Sequence, residues 1–423
     1  MPIASIKIWV LLIFFGCTVF LTLNRHSRYG VENYHSEIWA DKAGYYIYLP
    51  SVFIYSFQGK LMPSDIDIKT GNGFSIKDGK IITKYTYGVA LMQSPIFIAC
   101  HYFSKYFGFN ANGFSLLYYK SIDISAVIYS FISFIFLYLF LIRYLSKRVS
   151  ILTLICLYLG TNIFYYSIFE TGMSHIYSFF LFTCFLYLGP YVTKHNQNKI
   201  FYLLFGLIIG LIIIVRPINI IFLPVFFIFN PQKLSDIKNN LTKLPLVAIT
   251  TLIVIIPQLI YWKYSFGDYF CYSYQDERFS NIFNPKFLEL WFSTNNGLFI
   301  YNPLIILILI GLAFLYKESP KKSIIIGVYF IFISFVFSSW HVWSYGCSFG
   351  CRPYVEYYSI LALPFGFFID KLNSKFFFKP VLVSLLIIFI IYNQKLIFSY
   401  DGCWYGSIWD WSELLKLLLS STK

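Results

Sequence analysis

Charge is what this sequence has least of. Of its 423 residues, 12% are Asp, Glu, Lys or Arg, about half the share in a soluble globular domain. A chain this poor in charge cannot clothe itself for water. Soluble classes are excluded, and counting domains by length loses its meaning. Acids are the scarcer sign, 19 against 33 Lys and Arg, which leaves a net charge of +14. That excess does not make a nucleic-acid surface, because the cations sit in short links rather than in one patch. Internal repeats and low-complexity tracts are missing too. His341 has no second ligand at metal-binding spacing. No metal site of specific type and no cofactor is expected, although a divalent cation stays compatible with the sequence.

Apolar residues make up 58% of the chain and aromatic residues 22%. They fall in blocks of about 15–23 residues, the mark of a polytopic helical membrane protein. Residues 6–23 form the first block. Lys7 before an apolar run, and Phe14-Phe15-Gly16-Cys17, resemble a signal sequence. With many more spans following, it reads as an uncleaved first span. Later blocks cover 120–142, 150–167, 175–193, 200–215, 217–230, 244–263, 297–316, 323–339, 354–370 and 380–397. Every second link is basic: Arg143, Lys147 and Arg148; Lys194 and Lys199; Lys233, Lys238 and Lys243; Lys317, Lys321 and Lys322; Lys371, Lys375 and Lys379. Such links stay cytoplasmic.

The expectation is therefore an all-α membrane protein, one domain over 1–423, with about eleven spans and a cytoplasmic N-terminus. Loops 24–119, 265–296 and 340–353 and the tail 398–423 are extracytoplasmic, so Gly71 and Asp401 share a side. Segment 88–107 carries Gln93, Ser94, Pro95, His101 and Lys105 and is expected to lie along the interface. Arg216-Pro217 is expected to turn the chain between two short spans, since proline interrupts a helix. A bacterial inner or plasma membrane is the expected location.

The ionisable residues that are not in basic links gather at the outer face. Glu37 and Asp41 are four apart, and a helix there would put them on one face with Tyr45. Lys84-Tyr85, Glu170, His175, Arg216, His341, Trp343 and Arg352 follow. Ionisable groups near a bilayer are costly and usually functional. This set fits attack by an acceptor hydroxyl on a phosphate-linked sugar. A carboxylate takes the acceptor's proton. Cations hold the leaving phosphate, Arg through a bidentate fork. Asp65, Asp67 and Asp78 lie in a Gly-rich loop and read as solvated acids. Lys120 and Asp123 read as a local ion pair. Cys271, Cys347, Cys351 and Cys403 are all outside and allow three disulfide pairings.

Five pieces carry a family resemblance: Asp41-Lys42-Ala43-Gly44-Tyr45-Tyr46; Lys84-Tyr85-Thr86-Tyr87-Gly88-Val89-Ala90-Leu91 with Pro95; Met173-Ser174-His175; Gly206 to Arg216-Pro217; and Ser348-Phe349-Gly350-Cys351-Arg352. In that order they resemble the polytopic GT-C glycosyltransferases that use polyprenyl-phosphate-linked sugars. Protein O-mannosyltransferases and aminoarabinose transferases belong to that group. The resemblance implies an acidic base at Asp41, with Glu37 and Glu170 as further catalytic candidates. It implies a cation before the second juxtamembrane helix at Lys84, which the reading of the residues joins with Arg216 and Arg352 as the available donor-phosphate cations. Tyr45, Tyr85, His175, His341 and Trp343 are candidates to bind substrate. Many members carry Asp where Glu170 stands. Two prolines often replace Thr86-Tyr87, and proline often replaces Cys351. The implied partners are a polyprenyl-phosphate-sugar donor and a glycan, lipid or protein acceptor. The rival class is a transporter or flippase of a lipid-linked saccharide, which should show repeated halves and midplane charges.

Overall fold

The structure, a computed structural model, describes residues 8–193, 198–230, 241–373 and 379–420. Lys7, Lys194, Lys233, Lys238 and Lys375 lie outside the described residues. The described residues are mostly helical, and helix covers the core of every apolar block. In chain order the helices are α1 (Ile8–Ser27), α2 (Asp41–Tyr46), α3 (Tyr48–Phe53), α4 (Ile66–Lys69), α5 (Gly88–Tyr106), α6 (Leu116–Leu141), α7 (Lys147–Gly160), α8 (Ile163–Ile168), α9 (Ser174–Thr193), α10 (Lys199–Val215), α11 (Phe226–Phe229) and α12 (Leu244–Phe266). Then come α13 (Phe287–Phe292), α14 (Leu298–Tyr301), α15 (Leu304–Glu318), α16 (Pro320–Ser338), α17 (Tyr358–Asn373), α18 (Lys379–Ser399) and α19 (Trp411–Leu419).

Local chemistry sets the ends. Ser146 and Asn198 accept from Val149 N and Ile200 N as N-caps of α7 and α10, each filling a donor the first turn leaves open. Pro320 opens α16, where a missing N–H costs nothing. Among the described residues five helices, α6, α9, α12, α16 and α18, are long and apolar enough to cross a membrane. Others are shorter than the ~20 residues a perpendicular span needs: α10 has 17, α17 16, α15 15 and α7 14. After α10, Arg216 is extended and Pro217–Val225 is a 3-10 helix running into α11. A 3-10 helix rises about 2 Å per residue, so 217–229 reaches roughly 24 Å, much of the hydrocarbon thickness. The expected break at Arg216-Pro217 is present, but the segment after it is not a regular α-helix.

By contact the chain divides into two units, 1–133 with 166–275, and 134–165 with 276–423. In the first unit, the region 24–119 is less polar than its sequence suggests. Ile38, Tyr46, Ile47, Tyr48, Phe74, Ile81, Phe97 and Tyr118 belong to one buried cluster there. The buried phenols reach backbone carbonyls: Tyr46 to Gly113 (2.5 Å), Tyr48 to Tyr85 (2.7 Å) and Tyr55 to Asn112 (2.9 Å). Burying a hydroxyl without a partner costs several kcal/mol, so these bonds explain why tyrosine rather than phenylalanine fits here. A two-strand hairpin, β1 (Ser75–Lys77) and β2 (Lys80–Ile82), pairs Ile76 with Ile81. Its turn is Asp78-Gly79, both with positive φ, the backbone such tight hairpins need. Asp78 is thus a turn residue, and Asp65 pairs with Lys69 at 3.1 Å. Farther on, Gly206 of α10 lies so close to Val247 and Thr250 of α12 that an added Cβ would collide with them. Small residues let membrane helices meet at backbone distance, and Thr251 Oγ1 donates to Gly206 O across that seam (2.9 Å).

In the second unit, α15 packs on α16 and α17, and α7 packs on α17 and α18. Buried amides bind the pieces. Asn302 Oδ1 accepts from Asn162 N (2.7 Å), and Tyr358 donates to Asn162 Oδ1 (3.1 Å). None of the three complete pairings of the outer cysteines is formed; the structure makes one bond, Cys347–Cys403, with Cα atoms 4.5 Å apart. Cys271 and Cys351 stay free.

Candidate active site

Asp41 opens α2 and is half-buried. Ala40 before it has φ 47° and ψ −124°, a conformation sparsely populated for any residue with a Cβ. It is held by Ala40 N donating to Thr70 O (2.8 Å) and Gly44 N donating to Ala40 O (3.1 Å). Strain of this kind costs about 1–3 kcal/mol and concentrates at functional sites. Because the helix begins at Asp41, Glu37 does not share its face. The expected Glu37–Asp41–Tyr45 stripe is limited to Asp41 and Tyr45.

Tyr85 donates its hydroxyl to Asp41 Oδ1 at 2.5 Å. Burial and then the nearby Asp41 charge push the phenol well above its ordinary pKa, so it stays a donor at neutral pH. The Tyr85 ring packs on Tyr45 with centroids 4.3 Å apart and meets Tyr274 edge-on at 6.0 Å. Gly44 admits this ring, since an added Cβ would strike it. Lys84 Nζ lies over the rings of Tyr85 (5.3 Å) and Tyr274 (5.6 Å), a cation–π setting. Ser273 Oγ donates to Lys84 O (2.6 Å). Asp41, Tyr45, Lys84 and Tyr85 therefore form one neighbourhood, joined by Ser273 and Tyr274, which the sequence did not single out.

Glu170 accepts Lys42 Nζ at 3.1 Å, with Lys42 buried. The loop bearing Glu170 is pinned to the stretch after Glu37, where Gly172 abuts the Glu37 carbonyl and the Lys42 side chain. Glu37 is buried in a second ionic group. Lys120 Nζ sits 3.2 Å from Glu37 Oε1 and 3.2 Å from Asp123 Oδ2, so the expected Lys120–Asp123 pair is present but wider than local. His26 Nδ1 is 3.7 Å from Glu37 Oε2. Burial pushes the Glu37 carboxyl up, but His26, a hydrogen bond with Asp123 and Lys120 prevail and hold it below its usual pKa. Arg216 Nη1 donates to His175 Nδ1 at 3.4 Å, which assigns the His175 proton to Nε2.

The remaining residues lie in the second unit. Arg352 opens a 3-10 turn, Arg352–Tyr354, with its guanidinium 6.0 Å over Tyr345. His341 meets Trp340 edge-on at 4.8 Å, and its buried Nδ1 has no hydrogen-bond partner. Trp343 is half-buried.

No curated protein matches this chain. The matched family stretch runs through α6 to α12 and includes Glu170, His175 and Arg216, while Asp41, Lys84 and Arg352 lie outside it. Residues 117–262 match the family model of dolichyl-phosphate-mannose-protein mannosyltransferases, of GT-C type, and that family is one of membrane glycosyltransferases.

Proposed function

We propose that the chain moves a sugar from a polyprenyl-phosphate donor to a hydroxyl of a glycan, lipid or protein acceptor at the extracytoplasmic face. Asp41 is the base. Tyr85 donates to Oδ1 and so fixes the orientation of the carboxylate. The acceptor oxygen attacks the anomeric carbon as its proton passes to the Asp41 carboxylate. The bond from that carbon to the phosphate oxygen breaks, and the lipid phosphate leaves with the electron pair. Attack opposite the leaving group inverts the anomeric centre. Lys84, with Arg216, receives the phosphate charge. Phosphate needs no general acid, unlike the leaving group in glycoside hydrolysis, which usually takes two carboxylates.

The observation that carries this reading is Asp41, half-buried behind a strained residue and hydrogen-bonded by Tyr85, whose ring also meets the Lys84 cation. The Cys347–Cys403 bond supports the outer assignment of the 340–353 loop and the tail, because disulfides persist in oxidising compartments. The test is Asp41→Asn in membranes supplied with polyprenyl-phosphate mannose as probe donor. Transfer should fall by roughly 10²–10⁴-fold, the range for a lost general base, while insertion is unchanged. Near-normal transfer sinks the assignment.

A further inference from the structure

The group of His26, Glu37 and Asp123 has no part in the reaction above. Its three side chains come from the end of α1, the first loop and the start of α6, and all are buried. One ligand atom from each lies within 4.8 Å of the others. Two details favour a ligand over simple ion pairing. His26 Nε2 lies 2.9 Å from Ile168 O. A carbonyl can only accept, so Nε2 carries the proton and Nδ1 holds a lone pair. That lone pair faces Glu37 Oε2 at 3.7 Å, acceptor against acceptor. A His that ligates a metal almost always donates its other N–H to a carbonyl or carboxylate in this way. Asp123 is oriented likewise, accepting Thr171 Oγ1 at 2.9 Å. Lys120, the more exposed member of the group, lies 3.2 Å from both carboxyl groups, which also share the hydrogen bond between Glu37 and Asp123, so an ion binds as that proton is released.

We propose that His26 Nδ1, Glu37 and Asp123 form a divalent-cation site for Zn²⁺ or Mn²⁺, with Lys120 as the competing cation. One nitrogen and two carboxylate oxygens suit such borderline ions. Bonds of about 2.1 Å put tetrahedral ligands roughly 3.4 Å apart, so the 3.7 Å contact of Nδ1 with Glu37 closes by a few tenths of an ångström, while Asp123, whose 3.6 Å contact is with Nε2, must turn its carboxyl toward Nδ1. Binding an ion moves Lys120 toward water. The site would tie α1 to α6 beneath the loop that ends at Asp41.

The experiment uses full-length protein in detergent, without a histidine tag, stripped by chelator and loaded with ZnCl₂ or MnCl₂. Elemental analysis should find one ion per chain, and thermal unfolding should move upward on loading. His26→Ala and Asp123→Asn should each abolish the stoichiometric ion. Lys120→Met should bind at least 10-fold tighter, and its thermal stability should be restored by metal. No bound ion in the wild type would overturn the site, as would an ion retained in the His26→Ala, Asp123→Asn double variant. Unchanged or weaker binding in Lys120→Met would mean the group is an ion-pair staple only. If His26→Ala and Asp123→Asn do not fold, the Lys120→Met titration decides alone. These readouts do not depend on sugar transfer, so their outcome is separate from that of the Asp41 test.

Discussion

Tyr85 and Asp41 are 44 positions apart, yet one hydrogen bond joins them. A bond to a charged group contributes about 1.5–3 kcal/mol. Tyr85→Phe should therefore lower kcat by roughly 10–100-fold with little change in donor KM, measured by steady-state transfer. Equal changes in both would mean Tyr85 binds substrate rather than orients the base. Glu170 has a different expected signature. Removing one partner of a buried pair costs about 3–5 kcal/mol, and Glu170 is partly exposed, which lowers that figure. Glu170→Gln should lower the unfolding temperature, seen by differential scanning fluorimetry, because Lys42 loses its partner. A variant with wild-type stability and no transfer would return Glu170 to the base role. Asp41, Lys84 and Tyr85 stood out in the sequence as candidates through their motifs. That they share a neighbourhood with Ser273 and Tyr274 was not legible, because long-range contacts leave no spacing to read. Glu37 was misjudged as a helical neighbour of Asp41, since the strained Ala40 delays the helix start.

The apolar blocks that mark the helices were readable because each runs unbroken between polar links. Regularity was not readable. Pro217 and Pro224 lie within a 3-10 helix where the hydrophobic pattern alone suggested an α-helix. Gly206 shows a contact that only its partner reveals. Gly206→Leu should force α10 from α12 and impair insertion or stability, scored by protease resistance in membranes. A protease pattern like wild type would show that the seam is looser than its geometry implies. The four outer cysteines left six single links open to the sequence, and the structure forms one of them, Cys347–Cys403. Closing a loop of 56 residues removes up to about 4 kcal/mol of unfolded-chain entropy in the loop-closure picture. Cys403→Ser should lower thermal stability measurably. A membrane-impermeant reductant should reproduce that loss in intact cells. A reductant effect only after permeabilisation would put the link on the inner side.

At the scale of the molecule, scarcity of charge pointed to the membrane class and the alternation of basic links to an expected orientation, and among the described residues five helices meet the length and composition for spanning. Orientation is tested by single cysteines at Ser64 and Asp401 in a background lacking the native thiols. Both should react with an impermeant maleimide in intact cells, and labelling of only one would break the proposed topology. The small hairpin and the tyrosine-bonded packing of 24–119 escaped the sequence reading, because polar tyrosines and loop residues hide a core when counted one by one. The central claim is that an outer-face carboxylate drives transfer from a lipid phosphate. Its most direct measurement is release of polyprenyl phosphate from radiolabelled polyprenyl-phosphate mannose, with membranes as acceptor source, comparing wild type, Asp41→Asn and Glu37→Gln. The account predicts acceptor-dependent release by wild type, a loss of roughly 10²–10⁴-fold for Asp41→Asn, and a far smaller loss for Glu37→Gln. Full release by Asp41→Asn, or labelled donor crossing the membrane intact without release, would contradict it.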